Sequence, residues 1–319
     1  MNITMRKPSY LLLTCFMMGL LAAILLSACG NLMSVTPTPL PTNSATLIPS
    51  PHATATSVPP TSIPTSTAIP STAPLPTRTP TPTVVPDTGW ELLQPGLERR
   101  VINLFDLFDD KVRHIEQIYL LRLEPAQFRF DVAYDAQGKS LEGWQTEREA
   151  LIVVNGGFFR LEEEEFIPNG LMVLNGEPIG ATFGDFAGML AITESGPEIR
   201  WLAHTPYNPE EQLLGALQSF PMLVKPGGVL GFAAEHEDGK QARRTVIGQD
   251  EHGRVLFLVA SFGYFTLHQL SLYLTESDLE LDVAVNLDGG PSSGLRLAQP
   301  LEEVPAFSFL PIVITVSAH

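Results

Sequence analysis

From Ser34 to Pro86 the chain is almost entirely Pro, Thr, Ser and Ala with scattered Val, Ile and Leu, and it holds 14 of the 28 prolines. No other feature constrains folding so strongly, because a stretch with few large apolar side chains cannot bury enough surface to offset the entropy of ordering it. The composition predicts a stalk rich in extended polyproline segments, with an upper reach of roughly 160 Å at about 3.1 Å per residue. The pattern breaks at Asp87, the first acidic residue of the chain. A disordered linker over 30–87 and a single folded domain over 88–319 follow from that break.

All 35 acidic residues lie from Asp87 onward, against 16 of the 19 Lys and Arg, so the domain carries a formal charge of −19. Such a field repels nucleic acid and anionic lipid surfaces, which excludes nucleic acid as a partner. An anionic substrate has to be met by locally placed arginines or backbone amides. Both cysteines, Cys15 and Cys29, precede the stalk, so the domain has no disulfide, thiolate nucleophile or cysteine metal site.

Arg6 and Lys7 precede nineteen mostly apolar residues, Tyr10 to Ala28, the layout of a signal sequence or a single spanning helix. The ending Leu26-Ser27-Ala28-Cys29-Gly30 resembles the lipobox of bacterial lipoproteins. That resemblance implies a signal peptide over 1–29, a lipidated Cys29 and an extracytoplasmic protein held to a membrane by its lipid, at the cell surface or in the periplasm. An uncleaved N-terminal anchor is the alternative; both place the rest of the chain outside.

Within the domain, Gly89 to Arg100 reads as an entry segment with Trp90, Leu92 and Leu93 packing inward. Ile115 to Leu123 and Phe128 to Tyr134 alternate apolar and polar residues as half-buried strands do, with a hairpin expected at Glu124 to Gln127. Glu142 to Ala150 has helix formers, and Leu151 to Val154 is a buried strand that empties into Asn155-Gly156-Gly157-Phe158-Phe159. Glu162 to Glu165 reads as a solvated acidic loop, with a divalent cation as an unsupported alternative.

Strands are expected at Leu171 to Leu174, Gly188 to Thr193 and Ile199 to Ala203, and a short helix at Pro209 to Leu217, where Pro and carboxylates occupy the first turn. Arg243 to Gly248 and Val255 to Ala260 pair about a turn at Glu251 to Gly253. Arg243 and Arg244 are either surface ion pairs or a clamp for phosphate or carboxylate. Leu267 to Leu279, after Thr266 as N-cap, is an amphipathic helix on which His268 reads as a surface residue. The strand Leu281 to Val285 delivers Asn286-Leu287-Asp288-Gly289-Gly290-Pro291-Ser292-Ser293, which is either an Asp-Gly hairpin turn or a concentrated polar site. Phe307 to Val316 closes the domain.

Five blocks in this order, V-N-G-G-F-F at 154–159, Q-S-F-P-M-L-V at 218–224, R-R-T-V-I-G at 243–248, T-L-H-Q-L-S-L-Y-L at 266–274 and N-L-D-G-G-P-S-S at 286–293, resemble the phosphodiester glycosidase family over about residues 115–317. The resemblance implies an α+β domain of mixed, mainly antiparallel sheets with a few packed helices. It also implies hydrolysis of a sugar-1-phosphodiester to a free sugar and a phosphomonoester. No cofactor is predicted from the residues, a divalent cation being unsupported.

Carried over residue by residue, the family pattern points to Asp288 as the catalytic carboxylate. It makes Asn155, Gly156, Gly157, Arg244, Thr245, Asn286, Gly289, Gly290, Ser292 and Ser293 the residues that hold a carbohydrate phosphodiester. The Gly289 and Gly290 amides and Arg244 would meet phosphoryl oxygens, and Asn155 and Asn286 would orient the substrate. This chain departs from the family at Pro291, where a third Gly is usual, and at Gln269, where relatives often carry an acid. Those departures keep open the alternative of a non-catalytic surface lipoprotein that binds envelope glycans or glycan phosphates.

Overall fold

Strand-like alternation accounts for most of the domain, because each run with one apolar face finds a partner for that face. The computed structural model describes residues 85–105 and 115–319, all within the unit Thr77–His319. The expected signal peptide, Cys29 and nearly all of the linker lie outside the described residues.

An eight-stranded sheet runs in the order Glu91–Gln94, Leu97–Phe105, Ile115–Leu123, Val255–Ala260, Arg244–Asp250, Leu281–Asn286, Met222–Lys225, Val229–Leu230. One five-stranded sheet runs Glu302–Val304, Leu295–Leu297, Ile152–Asn155, Leu310–Ala318, Phe128–Lys139, and another Gly196–Trp201, Gly188–Thr193, Gly215–Ser219, Met172–Leu174, Glu177–Ile179. Every pairing among the described strands is antiparallel. With two α-helices among the described residues, α1 (Leu141–Arg148) and α2 (Leu267–Glu276), the fold is mainly β rather than the expected α+β.

The principal core lies where the three sheets face one another. Leu121, Phe257 and Val259 from the large sheet meet Ile152, Val154 and Ile314 from the first small sheet and Met172, Leu190 and Leu217 from the second. Each such aliphatic side chain contributes about 1.5–3 kcal/mol on full burial. Helix α2 covers the opposite face of the large sheet with Leu270 and Leu274 against Leu223, Val246 and Leu258. Its start is fixed by a capping box in which Thr266 Oγ1 accepts the Gln269 amide and Gln269 Oε1 accepts the Thr266 amide. Helix α1, capped by Ser140, packs Leu141 and Trp144 on Val153 and Val313.

The strand expected at Leu171 to Leu174 forms as Met172–Leu174 and ends in the Asn175-Gly176 turn, with φ of 51° and 85° at the two turn residues. Glu163 and Glu164 form the turn of the hairpin Phe159–Glu162 with Glu165–Pro168 and are exposed; the described residues contain no cluster of three metal-ligating side chains.

Several expectations are corrected. The segment Glu124–Gln127 is a 3-10 turn that carries the chain from the large sheet to a small one, so its flanking strands do not pair. Pro209–Leu217 is not helical: Gly215–Ser219 is claimed as a central strand by Gly188–Thr193 on one side and Met172–Leu174 on the other. Leu92 points outward, 69% exposed.

Candidate active site

The strand ending at Asn286 belongs to the large sheet, whereas Leu295–Leu297, which follows it, pairs with Ile152–Asn155 in a small sheet. Residues 287–294 are therefore a crossing between sheets and not a hairpin. The crossing is pinned by backbone bonds from Leu287 N to Thr245 O (2.8 Å), Asp288 N to Gly156 O (3.0 Å) and Gly290 N to Arg243 O (2.8 Å). Gly290 takes φ +61°, which L side chains rarely adopt, and opens a 3-10 turn through Ser292. Pro291 sits in the first turn of that element, where a missing N–H costs little.

Asn155, 1% exposed, ties the crossing together. Its Nδ2 donates to Asp288 O at 2.8 Å, and its Oδ1 accepts Thr245 Oγ1 at 2.7 Å and Gly294 N at 3.0 Å. Thr245 is wholly buried. Gly156 is needed for close approach, since a Cβ there would stand 2.6 Å from Ile312 Cγ2; Gly157 lies against Gln218 O. These four residues build the site from behind, with their polar groups engaged inside the protein.

Asp288 is half-buried; its Oδ1 accepts the Gly289 amide at 2.9 Å and Ser292 also donates to the carboxyl. Burial nevertheless raises its pKa above the ordinary carboxylate value, outweighing the opposing pull of those two donors. The expectation that the Gly289 and Gly290 amides point at a ligand meets an obstacle: one is bound to Asp288, the other to Arg243 O. Ser292 Oγ lies 3.4 Å from Ser308 Oγ, and Ser293 Oγ is buried with no partner. Asn286 donates from Nδ2 to Phe220 O at 2.9 Å and leaves Oδ1 buried and unpaired.

Arg244 lies beside this turn, its Nη1 3.9 Å from where a Cβ on Gly289 would be. Its Nε donates to Phe265 O at 3.3 Å and its Nη2 to Lys240 O at 2.6 Å. Arg243 extends the other way, donating Nη2 to Pro305 O at 2.8 Å with its guanidinium 4.5 Å from the Phe307 ring centre. Burial lowers the pKa of both, against the more distant fields of Glu237 and Asp238 on Arg244 and of Glu116 on Arg243. Neither makes an ion pair among the described residues. The other arginines at least partly buried among the described residues, Arg99, Arg100, Arg122, Arg200, Arg254 and Arg296, all pair with carboxylates. The reading of the Arg243-Arg244 pair as surface ion pairs is thereby overturned.

One feature was not picked out from the sequence as a site element. A hollow of about 470 Å³, lined by Trp201, Phe186, Phe220, Phe232, His236 and Leu267 among others, is bounded by the segments that hold Arg244 and Asn286. Phe220 stacks on Phe158 at 4.5 Å, so the paired phenylalanines of N-G-G-F-F and the Q-S-F-P block carried its signal. Gln269 is occupied as the α2 cap, and His268 is anchored at Phe232 O (2.9 Å) and through its amide at Glu237 (2.7 Å).

The mainly antiparallel domain thus holds one raised-pKa carboxylate, two buried or half-buried arginines without counter-ions among the described residues, and an aromatic-walled hollow. Among solved structures it is similar to the catalytic domain of zebrafish N-acetylglucosamine-1-phosphodiester alpha-N-acetylglucosaminidase, auto-inhibited by its pro-peptide, at 16% identity and a TM-score of 0.57 over 71% of this chain and 85% of that one. A Synechocystis protein matches at 13% identity and a TM-score of 0.49 over 70% of this chain and 62% of its own. No curated protein matches. The phosphodiester glycosidase family model matches residues 148–310, and the chain belongs to that family.

Proposed function

We propose that the domain hydrolyses sugar-1-phosphodiesters, releasing a free sugar and a phosphomonoester, as an extracytoplasmic protein tethered through Cys29 and the Pro/Thr/Ser-rich linker. The observation that carries this reading is the pair of desolvated guanidiniums at the end of one strand, without counter-ions among the described residues, in a domain of formal charge −19. Two such cations in so acidic a protein are held for an anion.

In this reading Arg244 binds the phosphodiester, and Asp288 acts at the anomeric carbon. At one end of the large sheet the order is Arg244, then Asn286 with Asp288 just beyond it, then Phe220 and the hollow, and this order supports a sugar held in the hollow. Water adds to the anomeric carbon as the glycosidic C–O bond breaks, and the phosphomonoester leaves with the electron pair. Phosphate leaves readily, so one carboxylate suffices without a strong general acid. Asp288 either takes the proton from water or attacks first as a nucleophile; inversion at the anomeric carbon supports the first role and retention the second. Asn155, Thr245, Gly156 and Gly157 serve as the scaffold of the turn, and Ser292 steadies the carboxyl. The non-catalytic alternative drew on Pro291 and Gln269, and both have structural roles here, in a 3-10 first turn and a helix cap.

The test is release of sugar and phosphomonoester from a panel of sugar-1-phosphodiesters. Asp288→Asn is expected to abolish turnover while keeping the wild-type circular dichroism. Near-wild-type turnover by that variant removes Asp288 from the chemistry.

A further inference from the structure

Arg243 sits among exposed phenylalanines. Phe307, stacked on its guanidinium, is 72% exposed, Phe309 63% and Phe262 56%. The loop carrying Phe262 is held by the buried Glu116 carboxylate, which accepts the Phe262 and Tyr264 amides at 2.8 and 2.7 Å. It packs on the Arg243 stem, since a Cβ on Gly263 would stand 3.5 Å from Arg243 Cγ. The loop carrying Phe307 is joined to the crossing by Phe307 N to Pro291 O at 2.7 Å. Phe307 and Phe309 also wall a second hollow of about 520 Å³ with Leu141; its acids Glu142 and Glu303 are both paired to Arg296.

This lip lies on the side of the crossing away from Trp201 and Phe232, because Arg243 and Arg244 leave the same strand end in opposite directions. Its chemistry is specific. Three phenylalanines offer no hydrogen-bonding tip for sugar hydroxyls, and the Arg243 guanidinium, lying on the Phe307 ring, has Nε and Nη1 buried without partners. Exposed apolar side chains gathered in one place beside a cleft mark a binding surface.

We infer that the lip formed by Phe262, Arg243, Phe307 and Phe309 binds the second ester group of the substrate, and that this group is a hydrocarbon chain: the ligand is a single amphiphilic phosphodiester, with its anionic phosphate at the arginines and its chain on the phenylalanines. This rests on the phosphodiester reading of the same site.

The experiment titrates the full chain by calorimetry with dimethyl phosphate and with methyl decyl phosphate kept below its micelle concentration, neither of which carries a sugar to be cleaved. Burying one methylene is worth about fourfold in affinity, so contact with only two or three gives a preference of about tenfold or more for the decyl ester. Phe262→Ser/Phe309→Ser is expected to bring the ratio of the two affinities close to one, and Arg243→Gln to weaken both ligands. Equal affinity of wild type for the two esters overturns the inference, as does a decyl preference retained by the double variant. Phenylalanine-dependent sedimentation with phosphatidylglycerol vesicles, without a decyl preference in solution, assigns the lip to a bilayer and overturns it too. Decyl preference without hydrolysis of any sugar phosphodiester sinks the catalytic reading alone and leaves the lip standing.

Discussion

Asn155 is the residue on which the two views of the site part, substrate-orienting group or internal tie, and its replacement separates them. Asn155→Ala removes the three short side-chain hydrogen bonds of this residue at once: the acceptor of Thr245 Oγ1, the acceptor of Gly294 N and the donor to Asp288 O. Each partner left unsatisfied costs about 1–2 kcal/mol after partial relaxation, so the loss is about 3–5 kcal/mol. That is a large share of the roughly 5–15 kcal/mol that holds a domain folded. With a urea slope of about 2–3 kcal/mol/M, the unfolding midpoint falls by about 1–2 M. Thr245→Val removes one of the three bonds and is expected to cost about 1–2 kcal/mol. In Asn155→Ala the same change has almost no further effect, because its partner is already gone. An Asn155→Ala protein with the wild-type midpoint and a raised KM would refute this account and return Asn155 to the substrate.

Other outcomes follow from the site. Asp288 must be ionised to serve as base or nucleophile, and its pKa is raised, so kcat/KM is expected to fall with decreasing pH through a midpoint above 3.8; a midpoint at or below that value contradicts the burial effect. The native state holds that proton to a higher pH than the unfolded chain, so stability declines as pH rises from 3.8 through the raised value. Asp288→Asn removes the slope and gains stability at neutral pH, measurable by denaturation at pH 4 and pH 7. Arg244→Met is expected to raise KM for phosphodiesters at least tenfold while leaving the fold intact; an unchanged KM excludes it from the anion site. Gln269→Glu keeps the capping box and is expected to unfold within about 0.5 kcal/mol of wild type, whereas Gln269→Ala loses about 1 kcal/mol.

Local chemistry was legible in the sequence wherever one segment decides its own form. The Asn175-Gly176 turn, the Thr266 cap, the strand ending at Asn155 and the hairpin about Glu251 to Gly253 all read directly. What did not read was partner choice. Period-2 alternation marks a strand without saying which sheet takes it, so Glu124–Gln127 reads as a hairpin and the stretch 286–293 reads as either a hairpin turn or a site, although each links different sheets. Pro209–Leu217 had helix-start residues, yet two flanking strands claimed its second half. Within the site, Asp288 is marked by the family resemblance and its Gly-rich turn, and Arg244 by standing beside a second arginine in so acidic a domain. The consumption of the Gly289 and Gly290 amides depends on Asp288 Oδ1 and Arg243 O, the latter from a strand more than forty residues away, and only the folded chain reveals it.

The crossing between sheets has a consequence for assembly. Asp288 is held on one side by Thr245 in the large sheet, through Leu287, and on the other by Gly156 in a small sheet. Neither sheet alone can shape the turn, so a folding intermediate with both sheets formed but undocked carries every residue of the site and no site. Recovery of activity on refolding therefore times the docking of the sheets, and it lags any signal that reports only the formation of strands.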